Sequence, residues 1–134
     1  MNNIINLELR KISTLIKTNE LNQASNLIEN LDKDFPNELV LNLKGLINLK
    51  KKNYKLSIID FKNAIKINSQ YLSAYTNLSL VFEKDNNYIE SEKIIKEALK
   101  IDSKSDELNN SLGYSLLKQD KFDESIIFFK RAIH

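Results

Sequence analysis

One spacing dominates this sequence: the same kinds of residue return every 34 positions. The first copy of the pattern holds Gly45, Tyr54, Ser57, Phe61 and Ala64. The next holds Ser79, Tyr88, Ser91, Ile95 and Ala98, and the one after holds Gly113, Phe122, Ser125, Phe129 and Ala132. A fixed period of about 20 to 50 residues is the signature of a repeat array. The chain is therefore predicted to stack copies of one small unit, which need not enclose one compact core.

The period divides the chain into four repeats, at residues 5–37, 38–71, 72–105 and 106–134. The first repeat is degenerate, because it runs one residue short of the later period, and the last is truncated. Terminal repeats of an array are commonly atypical, since one of their sides meets water. Residues 1–134 are accordingly expected to form a single domain of repeats.

Each repeat is predicted to form two helices joined by a short polar turn. The chain has only two glycines and one proline, which leaves little from which to build β-turns. Apolar residues recur at helical spacing, and Pro36 is expected to stop the second helix of the first repeat. Asn53 is expected to supply the left-handed residue of its turn. Between repeats, Asn68 with Ser69 and Asp102 with Ser103 are expected to end one helix and cap the next.

The recurring columns also explain how paired helices can approach one another. Small residues stand where the two helices of a repeat would meet, aromatic residues stand at the start of the second helix, and alanines stand where the next repeat would dock. One repeat cannot bury its apolar face alone, so neighbouring repeats must stack.

At these columns the chain resembles the tetratricopeptide repeat (TPR) family, over essentially all its length. The last repeat carries the family pattern as Leu112, Gly113, Phe122, Phe129 and Ala132. Departures are serine in place of the usual alanine at Ser57, Ser91 and Ser125, and Ser69 and Ser103 in place of the usual proline. The resemblance implies an all-α fold, a right-handed superhelical α-solenoid of helix-turn-helix repeats. It also implies that the first helices line a concave groove for peptides or partner proteins.

By the same resemblance, a set of side chains on three first helices should line that groove. They are Asn42, Leu46, Leu49 and Lys50 in repeat two, Thr76, Asn77, Leu80, Glu83 and Lys84 in repeat three, and Asn110, Tyr114, Leu117 and Lys118 in repeat four. Among them Leu46, Leu80 and Tyr114 form a stripe that, if exposed, would bind an apolar or amphipathic segment. The alternative is that the stripe only packs helices together. Likewise, Lys50, Lys84 and Lys118 occupy one repeat column, and they would either contact acidic side chains of a ligand or interact with the negative ends of their helix dipoles.

Two ligand types bound by other family members are not favoured. Chaperone-binding members clamp a terminal carboxylate with lysine, asparagine and arginine, and only Asn77 fits that set. Relatives among the sugar transferases carry a ladder of asparagines, whereas the corresponding column here reads Leu43, Asn77 and Ser111.

No residue pattern indicates catalysis, a cofactor or a metal site. Cysteine is absent and the sole histidine is His134, which excludes thiol catalysis and the usual zinc sites. The only glycines, Gly45 and Gly113, lie too far apart in the sequence to form a phosphate-binding loop. Basic patches lack interleaved aromatic residues and the net charge is only +2, so no nucleic-acid partner is expected. Apolar runs are short and no leader pattern is present, so a cytoplasmic protein without a membrane partner is expected.

The sequence therefore predicts a non-catalytic protein–protein interaction scaffold that binds a peptide or protein segment in its groove. Two alternatives stay open. The chain could be the N-terminal, substrate-recruiting TPR module of a larger enzyme such as a transferase, because its last helix runs to the end without a cap helix. It could also self-associate through the apolar C-terminal edge that Ile126, Phe129 and Ile133 form.

Overall fold

The computed structural model describes residues 3–133, and within that range all regular structure is α-helical. The helices are α1 (Asn3–Lys17), α2 (Leu21–Asp34), α3 (Glu38–Lys50), α4 (Tyr54–Ile67), α5 (Leu72–Lys84), α6 (Tyr88–Ile101), α7 (Asp106–Lys118) and α8 (Phe122–Ala132). Each predicted repeat contains one pair of them, so the predicted all-α class and the division into helical hairpins are confirmed.

The helices fall into two compact units, with the boundary between Ser69 and Gln70. The first unit holds α1 to α4, in which α2 packs against α1 and α3, and α3 packs against α1 and α4. The second holds α5 to α8, in which α6 packs against α5 and α7, and α7 packs against α8. Each compact unit thus contains two repeats, and within a unit the helices that are adjacent in sequence are adjacent in space.

Both cores are built from the apolar columns of the repeats. In the first unit Ile12, Ile28, Val40 and Ile47 are at most 2% exposed and belong to one cluster. In the second unit the apolar side chains that are at most 2% exposed come from α5, α6 and α7, and include Leu78, Val81, Ile95, Leu108, Leu112 and Leu116. Each of these side chains lies at the helical spacing that the sequence shows, so the 3.6-residue periodicity specifies the buried face.

The four turns inside the hairpins share one construction, and it corrects the sequence prediction for Asn53. The left-handed residue is Lys52, with a φ of 63°, whereas Asn53 has a φ of −87°. The N–H of Asn53 donates to the carbonyl oxygen of Asn48 at 2.8 Å, the six-to-one hydrogen bond of a Schellman motif. The corresponding left-handed residues of the other three turns are Asn19, Asn86 and Asp120. The prediction was one residue late because asparagine, unlike lysine, is typical of this conformation.

The connections between repeats confirm one half of the capping prediction. Asn68 and Asp102 are the residues at which α4 and α6 end. The next helix is not capped by the serine that follows each of them. Instead, the hydroxyl of Ser105 accepts the N–H of Leu108 at 3.2 Å, and α5 begins without a hydrogen bond from a capping side chain.

The small residues lie where the two helices of a hairpin meet, as predicted. A Cβ atom on Gly45 would fall 2.5 Å from Cε1 of Phe61, and one on Gly113 would fall 2.7 Å from Cδ1 of Phe129. The hydroxyl of Ser57 donates to the carbonyl oxygen of Gly45 at 2.8 Å. Serine at the usual alanine position therefore links α4 to α3 as well as keeping them close.

Candidate functional site

In the first compact unit, the predicted groove residues lie on α3, and half of them are occupied by packing. Asn42 is only 6% exposed, so most of its side chain is not available to a ligand. Leu46 is half-buried and packs against the core cluster of the unit. Leu49 is also half-buried, whereas Lys50 is exposed in the last turn of α3. This part of the stripe is therefore largely engaged with the unit's own core.

In the second compact unit, nine of the predicted residues lie on α5 and α7, and we call this set the α5/α7 surface. It consists of Thr76, Asn77, Leu80, Glu83 and Lys84 of α5, with Asn110, Tyr114, Leu117 and Lys118 of α7. Its apolar members are open to solvent, since Leu80 is 37% exposed, Leu117 39% and Tyr114 40%. Thr76, Asn77 and Glu83 are half-buried, and the other three are exposed. Exposed apolar side chains rimmed by polar residues are a common feature of protein-binding surfaces.

The ring of Tyr114 is held in place although it is exposed. It meets the ring of Tyr88 edge to face, with centroids 6.1 Å apart and planes at 76°. The ammonium group of Lys118 lies 5.5 Å from the centroid of the Tyr114 ring, within the range of a cation–π interaction. Because both neighbours restrict the ring, a ligand that packs on it would lose little side-chain entropy in the protein.

A half-buried carboxylate lies beside the tyrosines. Burial raises the pKa of Glu83, although the nearby hydroxyl group of Ser91 and the charge of Lys84 oppose the rise. Burial also raises the pKa of Tyr88, and a hydrogen bond with Tyr114 and the charge of Glu83 raise it further. The two rings and the carboxylate are thus close enough to influence one another. Sequence reasoning missed Tyr88, because its place beside Tyr114 depends on how α7 docks on α6.

Beneath this surface, α6 and α7 are joined by buried hydroxyl groups. The Oγ atoms of Ser91 and Ser115 lie 3.1 Å apart, and both side chains are fully buried. The Ser91 hydroxyl also donates to the carbonyl oxygen of Ser79 in α5 at 3.3 Å. One buried serine on α6 therefore contacts both helices that carry the candidate surface.

Glu92, the residue after Ser91 in α6, connects α6 to the end of α7. One carboxylate oxygen accepts hydrogen bonds from Gln119 at 2.9 Å and Lys121 at 3.1 Å, and the other accepts one from Lys96 at 2.7 Å. Burial alone raises the pKa of Glu92, but these three hydrogen bonds and the charge of Lys96 outweigh it and lower the pKa to about 2. Glu92 is therefore ionised at neutral pH and fixes the end of α7 against α6.

The described residues hold no arrangement typical of a metal centre or a membrane span. Within residues 3–133, no three histidine, cysteine, aspartate or glutamate side chains are grouped so that they could hold a metal ion. His134 lies outside the described residues. Across the same range, no helix is both long and apolar enough to cross a membrane. A cytoplasmic location stays a prediction.

Comparison with protein families confirms the predicted family. The family model described as "Tetratricopeptide repeat" matches residues 40–71, 72–105 and 106–133. These matches begin at or close to the predicted starts of repeats two, three and four. The degenerate first repeat, residues 5–37, lies outside them.

Comparison with solved structures confirms the fold. The chain is similar to a crystal structure of MamA, with a TM-score of 0.87 and 19% identity over 96% of this chain and 76% of that one. It is also similar to residues 41 to the end of MamA from Desulfovibrio magneticus RS-1, with a TM-score of 0.84 and 18% identity over 96% of this chain and 73% of that one. At this level of identity the likeness shows the fold alone. A sequence search of curated proteins found no match.

Proposed function

Since this chain belongs to the tetratricopeptide repeat family, we propose that it is a non-catalytic scaffold that binds a peptide or protein segment on its first helices. The family and the fold support a protein-interaction scaffold. The finer proposal is that the α5/α7 surface carries the binding. The observation behind it is that Leu80, Leu117 and Tyr114 are 37% to 40% exposed on helices whose other apolar residues, apart from the half-buried Leu72, are buried.

The neighbouring repeat columns support a binding role for these residues over a packing role. Leu78 and Leu112, two positions before Leu80 and Tyr114, are fully buried and supply the packing of their helices. Leu46 is the equivalent of Leu80 in repeat two, and it packs on the core cluster of its own unit. Leu80 and Tyr114 keep the apolar character of the column, and each has more than a third of its surface exposed.

The chemistry of the surface suggests an amphipathic ligand. Leu80, Tyr114 and Leu117 offer apolar contact, and aromatic side chains of this kind commonly anchor protein interfaces. Lys84 and Lys118 lie in the last turns of α5 and α7, beside the apolar residues. A segment with one apolar face and acidic residues at its edge would satisfy both features.

A selection of random peptides displayed on phage against the immobilised chain tests the proposal. The strongest selected peptide is then titrated against the wild type and against Leu80→Glu and Tyr114→Ala. Ile89→Glu is the matched control, because Ile89 is 60% exposed on α6 and lies outside the α5/α7 surface. Circular dichroism of each variant reports whether its helices are intact.

We expect Leu80→Glu and Tyr114→Ala each to lower the affinity for the selected peptide at least about tenfold while both variants keep their full helicity. The Ile89→Glu variant should bind the peptide as tightly as the wild type does. Equal binding by all four proteins would place the ligand elsewhere and refute the proposal. Loss of helicity in both surface variants would show that these side chains stabilise the core, which would refute it as well.

A further inference from the structure

Helices α1 and α8 expose apolar side chains at positions whose equivalents in the inner helices are buried or half-buried. In α1, Ile4 is 71% exposed and Leu7 is 61% exposed. In α8, Phe122 is 55% exposed and Ile126 is 49% exposed. The repeat period makes it possible to ask what covers the equivalent positions elsewhere in the chain.

The equivalents of Leu7 in α3 and α7 are buried. They are Val40 and Leu108, which are 0% and 2% exposed, and Val40 belongs to one cluster with Ile28 of α2. The side of α3 that carries Val40 packs on α2, because Lys51, which lies on it, donates to the hydroxyl of Ser25 at 2.8 Å. In α1 the same side, which carries Leu7, is open.

The equivalents of Phe122 and Ile126 meet the following repeat. They are Tyr88 and Glu92, which stand one repeat earlier, in α6. Tyr88 contacts the ring of Tyr114 in α7, and the side chain of Glu92 is only 13% exposed beneath the end of α7. In α8 this side is open, and it is more apolar than in α6, because isoleucine replaces the glutamate.

We propose that α8 of one copy receives α1 of a second copy, so that copies of this chain associate head to tail. Within each compact unit, the most extensive packing between repeats joins a second helix to the first helix of the next repeat, as α2 joins α3 and α6 joins α7. The pair formed by α8 and α1 is of this same kind. Its two sides differ, so the interface is heterologous and leaves a free α1 and a free α8 at the ends of each assembly. It is separate from the α5/α7 surface and does not depend on peptide binding there.

The charges of the proposed interface predict how it responds to salt. Within the first unit, Lys44 of α3 pairs with Glu29 of α2 at 3.4 Å. The equivalent positions at the proposed interface are Lys11 of α1 and Lys130 of α8, which are like charges. Salt screens the repulsion between exposed charges and leaves apolar contacts in place. The association is therefore expected to strengthen with ionic strength, whereas an interface dominated by ion pairs would weaken.

Two variants that each break one side of the interface test the proposal. Leu7→Glu places a charge on the open side of α1 and leaves α8 intact. Ile126→Glu places a charge on the open side of α8 and leaves α1 intact. The masses of the wild type, both variants and their equimolar mixture are measured by sedimentation over a range of concentrations, at about 0.1 M and about 0.5 M salt. Ile89→Glu is the control for adding a charge at an exposed apolar position away from both sides.

We expect the wild type and Ile89→Glu to exceed the monomer mass of 15.6 kDa as concentration rises, and more so at high salt. Each single variant is expected to keep the monomer mass, and their mixture to reach the mass of a dimer and no more. The mixture stops there because only one intact α8 and one intact α1 can meet. A wild type that stays monomeric, a mixture that stays monomeric, or a single variant that still associates would each overturn the proposal.

Discussion

Two repeat columns change together from one repeat to another, and this predicts that Gly45 and Phe61 are energetically coupled. Repeats two and four pair a glycine on the first helix with a phenylalanine on the second, whereas repeat three pairs Ser79 with Ile95. A Cβ atom on Gly45 would lie 2.5, 2.7 and 2.8 Å from three ring carbons of Phe61, whose side chain is fully buried. We therefore predict that Gly45→Ser destabilises the protein and that adding Phe61→Ile restores much of the loss.

The size of the effect follows from the contacts. Gly45→Ser overpacks a ring that has no room to move, which typically costs about 1–3 kcal/mol. Phe61→Ile alone leaves unfilled space and should cost about 1–2 kcal/mol, less than the roughly 3–5 kcal/mol of a change from phenylalanine to alanine. Isoleucine removes the ring atoms that the new Cβ would meet. The double variant should therefore be more stable than the sum of the single changes by at least about 1 kcal/mol.

Urea unfolding of the wild type, both single variants and the double variant, followed by circular dichroism, measures this coupling. The comparison uses midpoints from curves of equal slope, so that differences in midpoint report differences in the free energy of unfolding. Single changes that add to within about 0.5 kcal/mol would refute the argument that the glycine exists to accommodate the ring. Gly113→Ser is an internal comparison. It should cost less than Gly45→Ser, because Phe129 is half-buried and its ring has room to shift.

Two further predictions concern a turn and an ion cluster. Lys52→Asn should raise the free energy of unfolding by about 0.5–1 kcal/mol, because lysine is strained at the left-handed φ of 63°. Asn86→Lys should lower the free energy of unfolding by a similar amount. Thermal midpoints that stay unchanged in both variants would contradict this reasoning. Glu92→Gln should lower the free energy of unfolding by about 1–2 kcal/mol at pH 7. The full pKa shift of Glu92 from 4.5 to about 2 corresponds to roughly 3 kcal/mol, and the solvent exposure of Lys96 and Lys121 reduces that figure. Ionised Glu92 stabilises the fold fully above pH 4.5, and this stabilisation is lost as the pH falls through about 2. The stabilities of the wild type and Glu92→Gln should therefore converge in acid. A difference in stability that does not change with pH would contradict the pKa assigned to Glu92.

The repeats could be predicted from the sequence because one set of packing contacts recurs in every copy. At Gly45 and at Gly113, a Cβ atom would clash with a phenylalanine ring of the paired helix, so glycine appears at the same column of both repeats. The position of a left-handed residue is less visible, because Lys52 carries no preference for it and its neighbour Asn53 does. A left-handed backbone conformation can thus be adopted by a residue type that has no preference for it, and the sequence alone does not indicate such a position.

The candidate surface was harder to predict, because the burial of a side chain depends on what docks beside its helix. Leu46, Leu80 and Tyr114 share one column, yet Leu46 packs on the core of its own unit while Leu80 and Tyr114 are open. Two of the three partners of Glu92, Gln119 and Lys121, lie 27 and 29 residues away, and no short-range pattern indicates them. Spacing within a helix identifies which residues share a face, but only the packing of α6 against α7 shows what that face contacts.

The central claim is that the α5/α7 surface binds a protein segment, and an amide chemical-shift map tests it most directly. The isotope-labelled chain is titrated with the strongest peptide from the phage selection, and the shift of every backbone amide is followed. We predict that the largest shifts occur around Leu80, Tyr114 and Leu117, with small shifts in α2 and α4. Largest shifts on α8 or on α1, with the α5/α7 surface unchanged, would contradict the claim.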